Sequence, residues 1–123
     1  MNTGHDGSLS TGHANNSKDM LARLETMVLS DSQFTVDSIR SQIASAIEII
    51  IHLGRLSDKS RRTLSIDELI EYKNGEYVMN RLFEFKREKE LKNDKIVGKL
   101  CRTENPMVQM HKFEMMGVEC KGL

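Results

Sequence analysis

Ile47-Glu48-Ile49-Ile50-Ile51-His52-Leu53 is the stretch where the chain changes from one periodicity to another. Just upstream, Val36, Ile39, Ile43 and Ile47 recur at helical spacing behind Thr35, a good N-cap, and Ala44 and Ala46 leave room for close packing. From Ile47 onward, Ile47, Ile49, Ile51 and Leu53 alternate with Glu48, Ile50 and His52. Period two with β-branched side chains predicts a strand buried on at least one face. A helix running directly into such a strand predicts a mixed α/β chain.

Working outward towards the N-terminus, Ser17 is an N-cap candidate, and Asp19 sits where a helix dipole favours an anion. Met20, Leu21, Leu24, Met27 and Val28 then share one helical face, which ends near Ser30-Asp31. Before that helix, residues 7–11 read as a short strand, followed by a polar turn over 12–16. Towards the C-terminus, residues 57–60 form a turn and a strand follows from about Arg62 to Tyr72. Asn74-Gly75 is the strongest short hairpin signal, and Tyr77 to Phe85 is the returning strand. Residues 86–95 are almost all charged with both signs mixed, which reads as a solvated linker or helix face. Ile96 to Cys101 is one more short strand. Asn105-Pro106 then starts a helix marked by Met107, Met110, Phe113 and Met116 and stopped by Gly117.

The bulk numbers exclude several functions. With 123 residues the chain is long enough for one small domain. Lys+Arg and Asp+Glu are both 18, so the net charge is zero, against the basic excess of a general nucleic-acid binder or a polybasic membrane anchor. No apolar run approaches the roughly 20 residues of a membrane span, and the residues after Met1 are polar, unlike a signal or transit peptide. Cys101 and Cys120 make no CxxC motif and read as reduced thiols.

The stretch with most chemical content is Gly7-Ser-Leu-Ser-Thr-Gly-His-Ala-Asn15, leading into the helix from Ser17. Ligands of α/β proteins bind beyond the carboxyl ends of strands, and a nearby helix N-terminus offers backbone N–H groups to an anion. His13 stands at that junction between Thr11 and Asn15, where an imidazole can donate to a phosphate. The ordinary alternative is a solvated loop histidine. His5, Asp6 and His13 lack the fixed spacing and the fourth ligand of a metal site. No GxSxG, HExxH or G-x-x-x-x-G-K-[ST] occurs, since Gly98-Lys99 is followed by Leu100 without a glycine-rich loop before it. Phosphoryl transfer therefore lacks the cradle for its phosphates and the hydroxyl ligand for magnesium.

The run from Met1 to Asn15 resembles the histidine-box region of the type II/type IV secretion and pilus ATPases, the CpaF branch in particular. The likeness continues through residues 19–28, resumes at Ile39-Arg-Ser-Gln-Ile-Ala-Ser-Ala46 and at residues 49–56, and fades after Arg62. It implies a RecA-like, hexameric motor that couples ATP turnover to secretion, pilus assembly or conjugation. His13 matches the histidine that senses the γ-phosphate; Thr11 and Gly12 belong to the same box. Arg23 matches an arginine on the following helix, with a nucleotide or subunit contact weighed equally against a surface ion pair. Arg40 and Gln42 match a segment whose part is packing or interface.

The expected architecture is accordingly α/β: a partial RecA-like core of strand, two helices and strand over 1–56, β-hairpins over 57–86, and a charged linker with a short strand and helix over 87–123. The family's Walker A loop, Walker B carboxylate and arginine fingers lie upstream of the histidine box. The expectation is a C-terminal fragment of such a motor, inactive alone, with ATP and Mg bound in the full-length parent and not tightly by this chain. Expected partners are a homo-hexamer and inner-membrane secretion or pilus platform proteins, with no direct nucleic acid. The expected location is cytoplasmic, peripheral to the inner face of the cell membrane. The alternative is a stand-alone module that associates with a full-length homologue and regulates it. A third possibility, an independent enzyme using His13 with Ser10 or Asp6, has nothing to orient those groups.

Overall fold

The computed structural model describes residues 7–30, 33–88 and 95–122. Two helices, α1 (Ser17–Leu29) and α2 (Val36–Ala46), precede four strands: β1 (Ile49–Arg55), β2 (Arg61–Lys73), β3 (Glu76–Arg87) and β4 (Gly98–Arg102). A one-turn helix, α3 (His111–Met115), follows. The strands form one sheet in the order β1-β2-β3-β4, and each neighbouring pair is antiparallel. The fold is thus mixed α/β, with hairpins and a short C-terminal helix. β1 and β2, joined by the turn over 56–60, are neighbours in this one sheet.

Periodicity explains the placement. Thr35 caps α2 by accepting from the Ser38 N–H at 3.2 Å. Ile39 and Ile43, one turn apart, turn inward with Ala44 and pack on Leu21 of α1 and Leu69 of β2. Ile47, Ile50, Tyr72, Tyr77 and Met79 border this core, so both helices cover one face of the β1-β2-β3 sheet. The hairpin turn has positive φ at both Asn74 (52°) and Gly75 (80°), as a two-residue I′ turn demands. A Cβ on Gly75 would meet nothing within 4 Å, so only backbone strain opposes a side chain there. Gly75→Ala is expected to cost about 1 kcal/mol, read as a lower urea midpoint at unchanged slope; an unchanged midpoint would refute this.

On the other face of the sheet the C-terminal segment packs against β2 and β3. Asp67, Glu68 and Leu69 pair in unbroken register with Arg81, Asn80 and Met79, so Glu68 points away from the helices. Its carboxylate accepts from the backbone N–H groups of Val108 (3.0 Å) and Gln109 (2.6 Å). Asn80 joins them, donating to Glu68 at 3.0 Å and to the Pro106 carbonyl at 2.9 Å.

Three expectations need correcting. Residues 7–14 form neither helix nor strand, and Leu9 is fully exposed. A lone extended segment cannot satisfy its backbone without a neighbouring strand, and none of the described strands pairs with it. The N-cap of α1 is Asn16, which accepts from the Asp19 N–H at 2.8 Å; Ser17 is turned inward instead. The last helix spans only His111–Met115, because the N–H groups of Val108 and Gln109 bind Glu68. Gly117, at φ 65°, does stop it. The Val118 N–H reaches the Phe113 carbonyl and the Gly117 N–H reaches Glu114, as in a Schellman cap.

Candidate functional site

The candidate residues start in the irregular segment ahead of α1. Thr11, Gly12 and His13 are exposed. The segment is held by α1: the Arg23 guanidinium donates to the His13 carbonyl, and a Cβ on Gly12 would lie 2.5 Å from the Met20 methyl. Helical spacing places Met20 and Arg23 one turn apart, so both reach back towards the N-terminal end of the helix. The structure therefore brings Gly12, His13 and Arg23 together, through the backbone of His13, and leaves its imidazole to solvent.

Below this segment lies a buried polar cluster that sequence reasoning missed. Ser17 donates to the Asp67 carboxylate at 2.7 Å, Ser65 donates to it at 3.2 Å, and the Arg81 Nε donates at 2.8 Å. Asp67 is 2% exposed and Ser17 4%. The carboxylate raises the Arg81 pKa from its ordinary value, with burial opposing. The start of α1, four residues after His13, is thus fixed to the sheet by a charged centre. The signal in the sequence was the pair Asp67-Glu68 amid strand residues Leu64, Ile66, Leu69 and Ile70. Two adjacent acids on a central strand face opposite sides, and each demands donors.

Arg40 and Gln42 lie apart from His13 on α2. Arg40 binds Glu25 at 3.0 Å and donates to the Tyr72 hydroxyl at 3.4 Å, with its guanidinium 5.8 Å from the Tyr72 ring centre. Tyr77 donates to the same Glu25 oxygen at 2.7 Å, and burial, reinforced by this bond, raises the tyrosine pKa. Arg40 therefore links α1, α2 and β2 within the chain. Gln42 is exposed and borders an apolar hollow of 460 Å3 between α1 and α2, lined also by Leu24, Val28 and Ile43.

Among the described residues no group of three His, Cys, Asp or Glu is placed to hold a metal ion, and His5 and Asp6 lie outside the described residues. Nor does any described helix have the length and apolarity to cross a membrane.

Comparison with known proteins agrees with the resemblance read from the histidine box. The model of the family described as type II/IV secretion system protein matches residues 1–117. Conjugal transfer protein TrbB of Rhizobium radiobacter is 33% identical over 76 residues, covering 62% of this chain and 22% of that protein. Two proteins named for conjugal transfer, from two strains of Mycobacterium tuberculosis, are 33% identical over 66 residues, covering 54% of this chain and 18% of each. The chain thus spans about a fifth of the length of these relatives. A family match across 117 of 123 residues, histidine segment included, decides the matter: the chain belongs to the type II/IV secretion system protein family.

Proposed function

We propose that this chain supplies the phosphate-sensing part of a traffic ATPase used in secretion, pilus assembly or conjugation, and that it does not hydrolyse ATP alone. The observation that carries the reading is the family match across the histidine segment in a chain without a phosphate-binding loop. In this reading ATP and magnesium sit on a loop-bearing region supplied in a hexamer by the rest of such a motor. The assembly lies at the inner face of the cell membrane against its platform proteins. His13 approaches the terminal phosphate and donates to it. Thr11 and Gly12 shape its segment, and Arg23 holds the His13 carbonyl so that the imidazole stays turned outward. Arg40 and Gln42 serve packing and subunit contact.

The test mixes the purified chain with a family ATPase that carries the loop but is truncated before its own histidine segment. The chain alone is expected to show no turnover, and the mixture to gain activity. His13→Ala, with an unchanged melting curve, is expected to lower that gain about a hundredfold, the scale of one lost donor to charge developing in a transition state. Turnover by the chain alone that disappears with His13→Ala would overturn the reading.

A second reading is an associating module that caps or regulates a complete homologue. The exposed apolar side chains Leu9, Ile51 and Leu53 favour it, since such surface on a small domain marks an association site. It predicts co-purification with a complete family ATPase and a change in that enzyme's rate. A monodisperse monomer that leaves the rate unchanged would exclude it.

A further inference from the structure

Asp67 and Glu68 are neighbouring buried acids on β2 that face opposite sides of the sheet. Glu68 serves the C-terminal segment. Asp67 serves the start of α1, where apolar packing already holds the helix down. Leu21, one turn after Ser17 on the same face, is fully buried in the core with Leu69. Burial of this kind is non-directional and tolerates a small roll or slide of the helix. The Ser17–Asp67 bond at 2.7 Å does not, because a hydrogen bond weakens steeply once its angle is lost. As a source of stability the arrangement is a poor choice. Apolar side chains of similar volume often replace a buried ion pair without loss, and they would pack the helix end with no carboxylate. What the carboxylate adds is a fixed roll of α1 against β2. Asp67 is itself held from the sheet by Ser65 at 3.2 Å and by the Arg81 Nε at 2.8 Å.

The roll of α1 in turn sets the segment before it. Met20 and Arg23 follow Ser17 on the next two turns. The Met20 side chain closes on Gly12, where a Cβ would lie 2.5 Å from its methyl and 2.7 Å from its sulfur. The Arg23 guanidinium donates to the His13 carbonyl. Both contacts hang the segment on α1, and residues 7–14 have no strand partner among the described residues to hold them elsewhere. A rotation of the helix therefore carries Met20 and Arg23 with it and displaces the exposed imidazole of His13.

We propose that Asp67, acting through Ser17, is a positioning residue for His13. It fixes the roll of α1 and, through Met20 and Arg23, the place of the imidazole. This extends the phosphate-sensing reading, on which its consequence for turnover rests, while the geometric link stands on the chain alone. Asp67 touches neither nucleotide nor phosphate in that reading, so loosening its hold lowers kcat and leaves KM for ATP as it was.

Ser17→Ala cuts the link at one hydroxyl and leaves Asp67 with Ser65 and Arg81, so the chain is expected to stay folded. By NMR on the full chain, Ser17→Ala is expected to shift the backbone amides of residues 11–15 and the ring protons of His13 and to raise their fast mobility. Asp67→Ala is expected to move the same resonances at least as far. Glu68→Gln is the control, since it also lowers the melting temperature and yet leaves these resonances in place. In the mixture with the loop-bearing ATPase, Ser17→Ala is expected to lower kcat about tenfold at unchanged KM, short of the roughly hundredfold that a displacement of about 1 Å can cost. Added to His13→Ala it is expected to lower kcat no further, because a link whose output is the imidazole has no effect once the imidazole is gone. His13-segment resonances that stay put in both variants would overturn the proposal whatever the mixture does. So would an unchanged kcat for Ser17→Ala where His13→Ala lowers it, or full additivity of the two changes, which would mean that Ser17 serves the fold alone. A mixture in which even His13→Ala is harmless overturns the phosphate-sensing reading and the consequence for turnover with it, and the NMR comparison then decides the geometric link.

Discussion

Glu68→Ala is expected to destabilise the chain by about 3 kcal/mol or more, from the donors it leaves unpaired. Glu68 is 0% exposed, and its carboxylate accepts three hydrogen bonds. Two donors are backbone N–H groups of the C-terminal segment, which have no other place to go once the carboxylate is removed. Each buried orphan costs about 1–3 kcal/mol, partly relieved where water enters. Against a total of roughly 5–15 kcal/mol for a small domain, the change loosens the segment from 105 to 118 and brings the chain close to unfolding. Urea melts measure the loss. Hydrogen exchange locates it: Val108 and Gln109 are expected to lose protection before the α1–α2 core does. A loss below about 1 kcal/mol, the net worth of a single ordinary hydrogen bond, would contradict this account.

The same site fixes a pH dependence. Burial alone pushes the Glu68 pKa up, but the bonds from Val108, Asn80 and Gln109 outweigh it and hold it below its ordinary 4.5. A carboxylate whose pKa is lower folded than unfolded stabilises the fold above the unfolded pKa. That contribution is lost as pH falls below 4.5 and through the folded value. Glu68→Gln retains much of the shape and removes the titration. Its stability is expected to be lower at neutral pH and to fall less steeply into acid.

The strands and two of the helices were legible because their burial is one-sided. Ile39 and Ile43 on α2 mark the buried side of a helix, and Ile49, Ile51 and Leu53 mark a period of two on β1, where the intervening Ile50 faces the core and they are exposed. Asn74-Gly75 was legible because its φ values leave few other residues able to serve. Residues 7–11 misled because a strand is defined by its partner, and local sequence does not say whether one is present. The C-terminal helix was overextended for a related reason. Met107, Met110 and Phe113 repeat helically, but the N–H groups of Val108 and Gln109 are drawn to a carboxylate some 40 residues earlier in the chain. At the candidate site, His13 and Arg23 could be named from the resemblance. Their meeting through a backbone carbonyl could not, since it depends on how the segment folds back on α1. The Ser17–Asp67–Arg81 cluster joins three elements at separations no periodicity records.

That cluster supports the second large effect. Asp67→Ala is expected to cost about 2–3 kcal/mol, below the 3–5 of a fully buried ion pair broken on one side. The reason for the reduction is Arg81, whose side chain is 46% exposed and returns to water when its partner is removed. Ser17 and Ser65 fare worse. Both are 4% exposed, and their hydroxyls lose the acceptor that justified their burial. Asp67→Asn keeps an acceptor oxygen and the shape, so it is expected to lose about half as much, the difference being the charge. A double-mutant cycle with Arg81→Leu isolates the ion pair; a coupling under about 0.5 kcal/mol would show that it contributes little. The loss also has an address. Ser17 is the first residue of α1, so Asp67→Ala frees the end of the helix against which the His13 segment lies. Exchange of the amides from 13 to 20 is expected to quicken while β3 and β4 keep their protection. Equal quickening everywhere would mean that Asp67 holds up the sheet as a whole and has no particular hold on the segment that carries His13.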